Sequence, residues 1–200
     1  MIIAIANQKG GVGKSSVVLN IAEHLQPDAI FDADIHFGVS KLLQLNQNLN
    51  IDVIRPCKPS DLSAALDYRC VIIDCGGFDS DITREALRIA DMVITPTSDD
   101  PQDQFGLMDF NEVLNFISKD NHRKITSHVL INRVHPSRTN FSEMSELVDG
   151  LSNMKLLPIV IPSSAQIPKA AFSGHGVRSG NIAARFYKLS ELINSKLNIK

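Results

Sequence analysis

Two lysines stand five residues apart in the stretch "NQKGGVGKSS", among three glycines. Glycines allow consecutive backbone N–H groups to converge on an anion, and a helix that follows adds its positive N-terminal end. The apolar run "IIAIA" precedes this stretch and the helical pattern "SSVVLNIAEHL" overlaps its end. The order of strand, loop and helix predicts a phosphate-binding loop that consists of Gly10, Gly11, Val12, Gly13, Lys14, Ser15 and Ser16.

The types of side chain in this loop indicate nucleotide chemistry. Lys14 is placed to contact β and γ phosphates, and the hydroxyl of Ser15 is placed to ligate Mg²⁺. The common pattern G-x-x-x-x-G-K-[ST] requires a glycine where this chain has Gln8. The loop is therefore a variant of that pattern, with a second lysine, Lys9, at its start.

Carboxylates follow two other apolar runs. The stretch "FDADIHFG" contains Asp32 and Asp34, and "CVIIDCGG" ends a predicted buried strand with Asp74. A buried carboxylate is costly unless a cation compensates it. We therefore predict that Asp74 holds Mg²⁺ through water and contacts the Ser15 hydroxyl.

These residues need a scaffold that brings several strand ends together. Apolar runs without alternation are typical of strands buried on both faces, and helical patterns lie between them. This order predicts an α/β fold with a doubly wound, mostly parallel sheet flanked by helices, whose ligands bind at the carboxyl ends of the strands. The predicted strands are residues 2–6, 29–34, 51–54, 70–76, 92–97, 128–134 and 156–162.

The length and composition of the chain set broader limits. A chain of 200 residues with 44% hydrophobic content is expected to form a single domain, residues 1–200. The sequence lacks an apolar run long enough for a membrane span and lacks a signal peptide pattern, so we expect a soluble, cytoplasmic protein. Three unpaired cysteines suggest neither a disulfide framework nor a zinc site.

The C-terminal part of the chain is basic. From Lys155 onward there are seven basic residues and one acidic residue, whereas the rest of the chain has 13 basic and 21 acidic residues. A final helix is predicted over about Asn181 to Leu197, after Ser179 or Gly180, with basic side chains on one face. Its opposite, apolar face consists of Ile182, Phe186, Leu189 and Ile193.

The stretch "KGGVGKSS" resembles the deviant Walker A motif of the ParA/MinD family of ATPases. The matches extend from residue 2 to about 177. The resemblance implies a P-loop NTPase fold, ATP and Mg²⁺ as cofactors, and weak, partner-stimulated hydrolysis of ATP to ADP and phosphate. It also implies an ATP-dependent homodimer, in which Lys14 holds the phosphates in cis and Lys9 reaches the partner subunit's phosphates in trans.

The resemblance extends to residues outside the loop. It implies that Asp34 orients the attacking water, that Asp32 helps to hold the metal through water and that Asp74 is the Walker B acid. It also implies contacts with adenine from Asn132, Arg133, Pro162 and Ser163. The chain departs from the family's pattern at Ile35, His36, Gly76 and Gly77.

The family includes proteins with several roles, and the sequence leaves more than one open. The basic C-terminal region favours a plasmid partition ATPase of the short type, which binds DNA non-specifically and uses a centromere-binding adaptor. Candidate DNA contacts are Lys169, Arg178, Arg185 and Lys188.

Several alternatives remain. A MinD-like protein would end in a membrane-targeting helix, and the tail contains Leu192, Ile193, Leu197 and Ile199 without an aromatic anchor. A scaffold for conjugation or secretion and a small-molecule ligase or synthetase are further possibilities. Cys75 next to Asp74 also invites comparison with nitrogenase iron proteins, although the chain has only three cysteines.

Overall fold

The computed structural model describes residues 1–197, which form one sheet of seven strands with helices packed against it. The strands are β1 (Ile2–Ile5), β2 (Ala29–Ala33), β3 (Asp52–Ile54), β4 (Val71–Cys75), β5 (Met92–Thr97), β6 (Ser127–Val134) and β7 (Met154–Pro162). The helices are α1 (Lys14–Leu25), α2 (Gly38–Leu43), α3 (Asp81–Ile89), α4 (Pro101–Asp120), α5 (Ser142–Asp149), α6 (Gln166–Ala171) and α7 (Gly180–Lys196), together with a 3₁₀ helix over Pro59–Asp67.

The strand order across the sheet is β3-β2-β4-β1-β5-β6-β7, and every strand pair in the described residues is parallel. The predicted doubly wound sheet is therefore confirmed. From β1 the chain proceeds first towards one edge of the sheet and later, through β5, towards the other. The loops after β1, β2 and β4 consequently open at the same edge, which is where such sheets bind ligands.

Two hydrophobic cores enclose the sheet, one on each face. Ile2 and Ala4 belong to one core, whereas Ile3 and Ile5 belong to the other. This alternation follows from the two-residue period of a strand, and it explains why the strands are apolar without a polar face. Because side chains pack against both faces of the sheet, the strand ends from which the loops start are held in place.

The final helix forms as predicted, with small shifts of its ends. It is α7, it begins at Gly180 after Ser179, and its predicted apolar face is buried in the second core. Leu192 and Leu197 pack against the same core. Ile199, which is part of the tail considered above, and Lys200, which contributes to its charge, lie outside the described residues.

Three elements escaped the sequence analysis, namely α2, α6 and the 3₁₀ helix. Each of the two helices has six residues, which is less than two turns, so neither shows a full period of apolar positions. The helix α4 begins with Pro101. Proline fits the first turn of a helix because the N–H it lacks has no partner there.

None of the helices within residues 1–197 combines the length and the apolar character that crossing a membrane requires.

Candidate functional site

The predicted phosphate loop connects β1 to the first residue of α1, and its glycines have the backbone that the loop needs. Gly11 has φ of 78° and Gly13 has φ of 94°, both in the left-handed region. A Cβ atom at Gly13 would lie 2.6 Å from the amide nitrogen of Asn132. Position 13 therefore requires glycine for its conformation and also for lack of space.

The loop forms one wall of a pocket of about 490 Å³ at the carboxyl edge of the sheet. The pocket brings together parts of the chain that are far apart in sequence. The side chain of Val12, which belongs to the loop, is buried. The pocket is lined by Gly10, Gly11, Gly13, Lys14, Ser15, Ser16, Asp34, His36, Gly77, Phe78 and Arg133.

Two side chains at the end of β6 hold the carbonyl groups of the phosphate loop. The amide of Asn132 donates to the Val12 carbonyl at 2.9 Å, and the guanidinium of Arg133 donates to the Gly11 carbonyl. Because a peptide's N–H points opposite to its carbonyl, these contacts turn the N–H groups of Val12 and Gly13 away from the end of β6. The sequence assigned both residues to adenine, and the structure places them against the loop.

Arg133 itself has an unusual backbone. Its φ is 60°, in the region that a residue other than glycine seldom adopts. The hydroxyl of Ser163 donates to the Arg133 carbonyl at 2.8 Å, and the N–H of Ser163 donates to the Val134 carbonyl at 2.8 Å. Ser163 thus ties the end of β6 in the conformation that aims Arg133 at the loop.

A second pocket of about 500 Å³ adjoins the first and shares Ser16 and Arg133 with it. The other lining residues include Asn132, Ser163 and Phe186. Pro162 lies at the end of β7, in register with Val134, and is outside this lining. A pocket with this position and size suits a nucleotide base, and specific adenine contacts remain a prediction.

The two lysines of the loop have different surroundings. Lys14 is buried, and its ammonium donates to the Lys9 carbonyl at 3.1 Å. Burial lowers the pKa of Lys14, although the carboxylates of Asp74 and Asp34 oppose this shift. The ammonium of Lys9 instead binds Asp103 in α4, and Lys9 lies outside the lining of the phosphate pocket.

Asp74 is the last residue but one of β4 and is completely buried. Neither of its carboxylate oxygens has a hydrogen-bond donor within residues 1–197. Burial raises the pKa of Asp74 to about 7, while the nearby Ser15 hydroxyl and Lys14 ammonium favour the charged form. An uncompensated carboxylate beside Ser15 fits a divalent cation, which would supply the missing charge and ligands.

The two carboxylates at the end of β2 have separate surroundings. Asp32 is in register with Asp74, but its oxygens accept the backbone N–H groups of Ser40 at 2.8 Å and of Asp34 at 3.3 Å. Asp32 therefore shapes the loop that leads into α2. Asp34 lines the phosphate pocket and accepts the N–H of His36 at 2.8 Å.

Protein side chains alone provide few ligands for a metal at this site. Within the described residues, the structure has no group of three or more His, Cys, Asp or Glu side chains arranged to hold a metal. The proposed Mg²⁺ ligands, Ser15, Asp32 and Asp74, rely on water and phosphate oxygens for the remainder, as is usual for Mg²⁺. Their metal roles remain predictions.

The predicted DNA contacts are all exposed, but only two of them share a pocket. Arg185 and Lys188 line a groove of about 540 Å³ between α7 and the edge strand β7. Arg178 forms an ion pair with Glu23 at 2.7 Å, and Lys169 lies on α6. The basic face is therefore best defined by Arg185 and Lys188.

Two residues with clear tasks at the site were missed. Asn7 donates from its amide to the Pro96 carbonyl at 2.9 Å and accepts the N–H of Lys9 at 2.9 Å, which ties the loop to β5. Asp103 binds Lys9. Both lie within about six residues of a strand's carboxyl end, which is the only signal in the sequence that could have indicated them.

The comparisons with known proteins agree with this geometry. Residues 3–177 match the CobQ/CobB/MinD/ParA nucleotide binding domain. No curated protein matches the sequence.

Solved structures with the same fold cover nearly the whole chain. A putative plasmid partition protein from Borrelia burgdorferi bound to AMPPNP is 17% identical with a TM-score of 0.70, over 98% of each chain. The septum site-determining protein MinD from Pyrococcus horikoshii with Mg-ADP is 18% identical with a TM-score of 0.77, over 99% of this chain and 97% of that one. Cobyrinic acid a,c-diamide synthase from Mycobacterium smegmatis, with an ATP analogue and magnesium, is 20% identical with a TM-score of 0.73, over 98% and 94% of the two chains.

Gly77→Ala is expected to weaken nucleotide binding. A Cβ atom there would lie 3.2 Å from the backbone of Gly10 and 3.3 Å from the ammonium of Lys14. The added methyl group must displace the backbone of Gly10 or the Lys14 ammonium, both of which line the pocket, and a loss of about 1.4 kcal/mol in binding free energy would lower affinity about tenfold. Titration calorimetry measures this, with Gly150→Ala as the control because a Cβ atom there meets its neighbours at an ordinary 3.4 Å. Equal affinities for the two variants would show that the loop has room at Gly77.

Asp74→Asn is expected to stabilise the ligand-free protein and to abolish the dependence of nucleotide binding on Mg²⁺. The amide removes a buried charge that lacks a partner, which should raise the free energy of unfolding by about 1–3 kcal/mol. Urea unfolding in EDTA measures this, and the exposed Asp67→Asn is the control. A less stable variant with unchanged Mg²⁺ dependence would remove Asp74 from the metal site.

The pH dependence gives a further check on Asp74. Its pKa is raised from 3.8 to about 7 in the folded protein. The folded state therefore binds the proton more tightly than the unfolded state, so this group makes stability fall as pH rises from about 4 to about 7. The unfolding free energy in EDTA should lose this component in Asp74→Asn.

Proposed function

This chain belongs to the CobQ/CobB/MinD/ParA nucleotide-binding family, and we propose that it is an ATPase that dimerises with ATP, binds DNA non-specifically and positions plasmid or other DNA cargo. Family membership supports nucleotide binding. ATP and Mg²⁺ are supported by the two pockets and by the orphaned carboxylate of Asp74. Related structures contain AMPPNP, Mg-ADP, or an ATP analogue with magnesium.

The direction of the Lys9 side chain is the observation that best supports a dimer. Lys9 and Lys14 belong to the same loop, but only Lys14 lines the phosphate pocket of its own chain. The side chain of Lys9 runs to α4 and remains one-third exposed. A cation at the rim of the pocket is available to phosphates bound by a second copy, so nucleotide would join two protomers face to face.

The chemistry of the site follows from its charges. Lys14 and the N–H groups of the loop bind the phosphates and stabilise the charge that develops on them. Asp34 faces the pocket and orients the attacking water. Ser15, Asp74 and Asp32 would hold Mg²⁺, which would add positive charge beside the phosphates. Lys9 of the second protomer would complete the site, so we expect turnover to depend on dimerisation.

The DNA-binding part of the proposal is supported by the groove between α7 and β7. Arg185 and Lys188 are exposed there, and the guanidinium of Arg185 also donates to the Val160 carbonyl at 2.6 Å, which fixes its position. A dimer presents two such grooves, so weak phosphate contacts become useful in the ATP state.

The membrane alternative receives less support. Leu192, Ile193 and Leu197, which a membrane helix would insert, pack against the core beneath α7. We therefore favour DNA as the surface on which the dimer assembles, with a centromere-binding adaptor protein as the partner that stimulates hydrolysis. In the bound state the protein would be associated with the nucleoid.

ATP with Mg²⁺ is expected to convert monomer into dimer, because the partner's lysine completes the site. Light scattering with ATP, ADP, a slowly hydrolysed analogue and no nucleotide measures this. Lys9→Ala should keep nucleotide binding and lose the dimer, whereas Lys14→Ala should lose about tenfold or more in affinity because a buried charge contact to phosphate is removed. A constant monomer mass with the analogue would rule out the face-to-face dimer.

The double substitution Arg185→Ala with Lys188→Ala is expected to weaken DNA binding in the ATP state and to leave nucleotide affinity unchanged. Titration of a fluorescent duplex at several salt concentrations measures this, and the slope of log affinity against log salt should decrease by about 0.9 for each lost phosphate contact. The exposed pair Lys41→Ala with Lys124→Ala is the control for net charge.

Two outcomes would contradict the DNA assignment. One is equal loss of affinity in both double variants, which would make net charge the cause. The other is a wild-type protein that does not bind DNA at low salt but sediments with anionic liposomes. That result would support the membrane-positioning alternative.

A further inference from the structure

The carboxylate that binds Lys9 is unusually well enclosed. Asp103 lies in the first turn of α4, and its side chain is 7% exposed. One of its oxygens accepts the Lys9 ammonium, and the other accepts the N–H of Ser98 at 3.0 Å. Among the ion pairs within residues 1–197, no other member is as buried.

The surface between Lys9 and Asp103 accommodates an extended lysine side chain. A Cβ atom added at Gly106, one turn after Asp103, would lie 3.7 Å from Cβ and 3.9 Å from Cδ of Lys9. The stem of Lys9 therefore runs along the first turns of α4. At its other end, the Lys9 backbone is fixed, because its N–H binds Asn7 and its carbonyl binds Lys14.

We propose that Asp103 is a positioning residue, which holds Lys9 against α4 in the free protomer and releases it when the phosphates of a second protomer's nucleotide arrive. This inference rests on the proposed function, since it assumes that Lys9 acts in trans. The exchange replaces one carboxylate by a polyphosphate of higher charge, which gives Lys9 a stronger partner.

Asp103 is suited to an exchangeable contact. After Lys9 leaves, the carboxylate keeps the Ser98 N–H and the favourable N-terminal end of α4. These groups limit the penalty of an unpaired buried charge. Although burial by itself would raise the pKa of Asp103, the hydrogen bonds from Lys9 and Ser98 hold it below its usual value, so the group is charged at neutral pH.

The contact has a measurable consequence for assembly. If only a fraction of protomers has Lys9 released, the apparent dissociation constant of the dimer is raised by the inverse square of that fraction, because both protomers must release their lysine. Asp103 thereby sets the protein concentration at which ATP produces dimers and suppresses dimers without nucleotide. Loss of the contact should shift assembly to lower concentration without changing how one protomer binds nucleotide.

The test compares Asp103→Asn with wild type by sedimentation equilibrium in a slowly hydrolysed ATP analogue and Mg²⁺. The variant should have a dimer dissociation constant about tenfold lower, as expected if about one protomer in three has Lys9 free in wild type. Asp109→Asn, which removes an exposed charge from the same helix, is the control and should behave as wild type. Monomer nucleotide affinity and thermal unfolding are measured for each variant, and both should be near wild type, because the introduced amide keeps an oxygen for the Ser98 N–H.

The dependence on Lys9 separates positioning from a structural effect. In a Lys9→Ala background, which should stay monomeric, Asp103→Asn should not produce dimers, because there is no lysine to release. An unchanged dissociation constant in an otherwise dimerising protein would overturn the role of Asp103 and leave the proposed function intact. Dimers in the double variant with Lys9→Ala and Asp103→Asn would also overturn it. Absence of dimers in every variant would overturn both the face-to-face dimer and the role of Asp103.

Discussion

The site depends on a glycine loop that is held in one conformation before any anion is bound. Such order is unfavourable by itself, because glycine loses more conformational freedom than any other residue when it is fixed. Here the surrounding protein holds it from several sides. Asn132 and Arg133 take the carbonyls, Asn7 takes the N–H of Lys9, and Gly77 packs against the backbone of Gly10. The sheet beneath, packed on both faces, keeps these contacts in place.

Charges around the loop differ in how completely they are compensated. Asp74 is buried with both oxygens unpaired in the described part of the chain, whereas Asp103 has a donor for each oxygen. The carboxylate of Asp74 therefore lacks a compensating cation, whereas the contacts of Asp103 stabilise the ligand-free protomer. Lys14 and Lys9, which look similar in the sequence, belong to these two different environments. Lys14 is therefore already placed at the phosphate pocket, whereas Lys9 is bound to Asp103.

Function in this family is decided by what surrounds the nucleotide site. The same fold occurs in a putative plasmid partition protein, a septum site-determining protein and a cobyrinic acid a,c-diamide synthase. In this chain Arg185 and Lys188 line an exposed groove beside β7. The apolar side of α7 is used by the core. This division of one helix between packing and a basic surface is the physical basis for preferring DNA over a membrane.

The sequence by itself determined the parallel sheet, the phosphate loop and the family, because buried strands, glycine spacing and lysine spacing are local signals that fold and ligand both require. It also indicated Asp34 and Asp74, since each stands at a strand end. It did not determine the partners of Asn132, Lys9 or Arg178, and it missed Asp103. Those contacts join residues 94 to 155 positions apart. These contacts depend on how β6 and α4 pack around the loop after β1, and on how the segment before α7 packs against α1. Side chains this distant in sequence meet only when the strands have taken their order in the sheet.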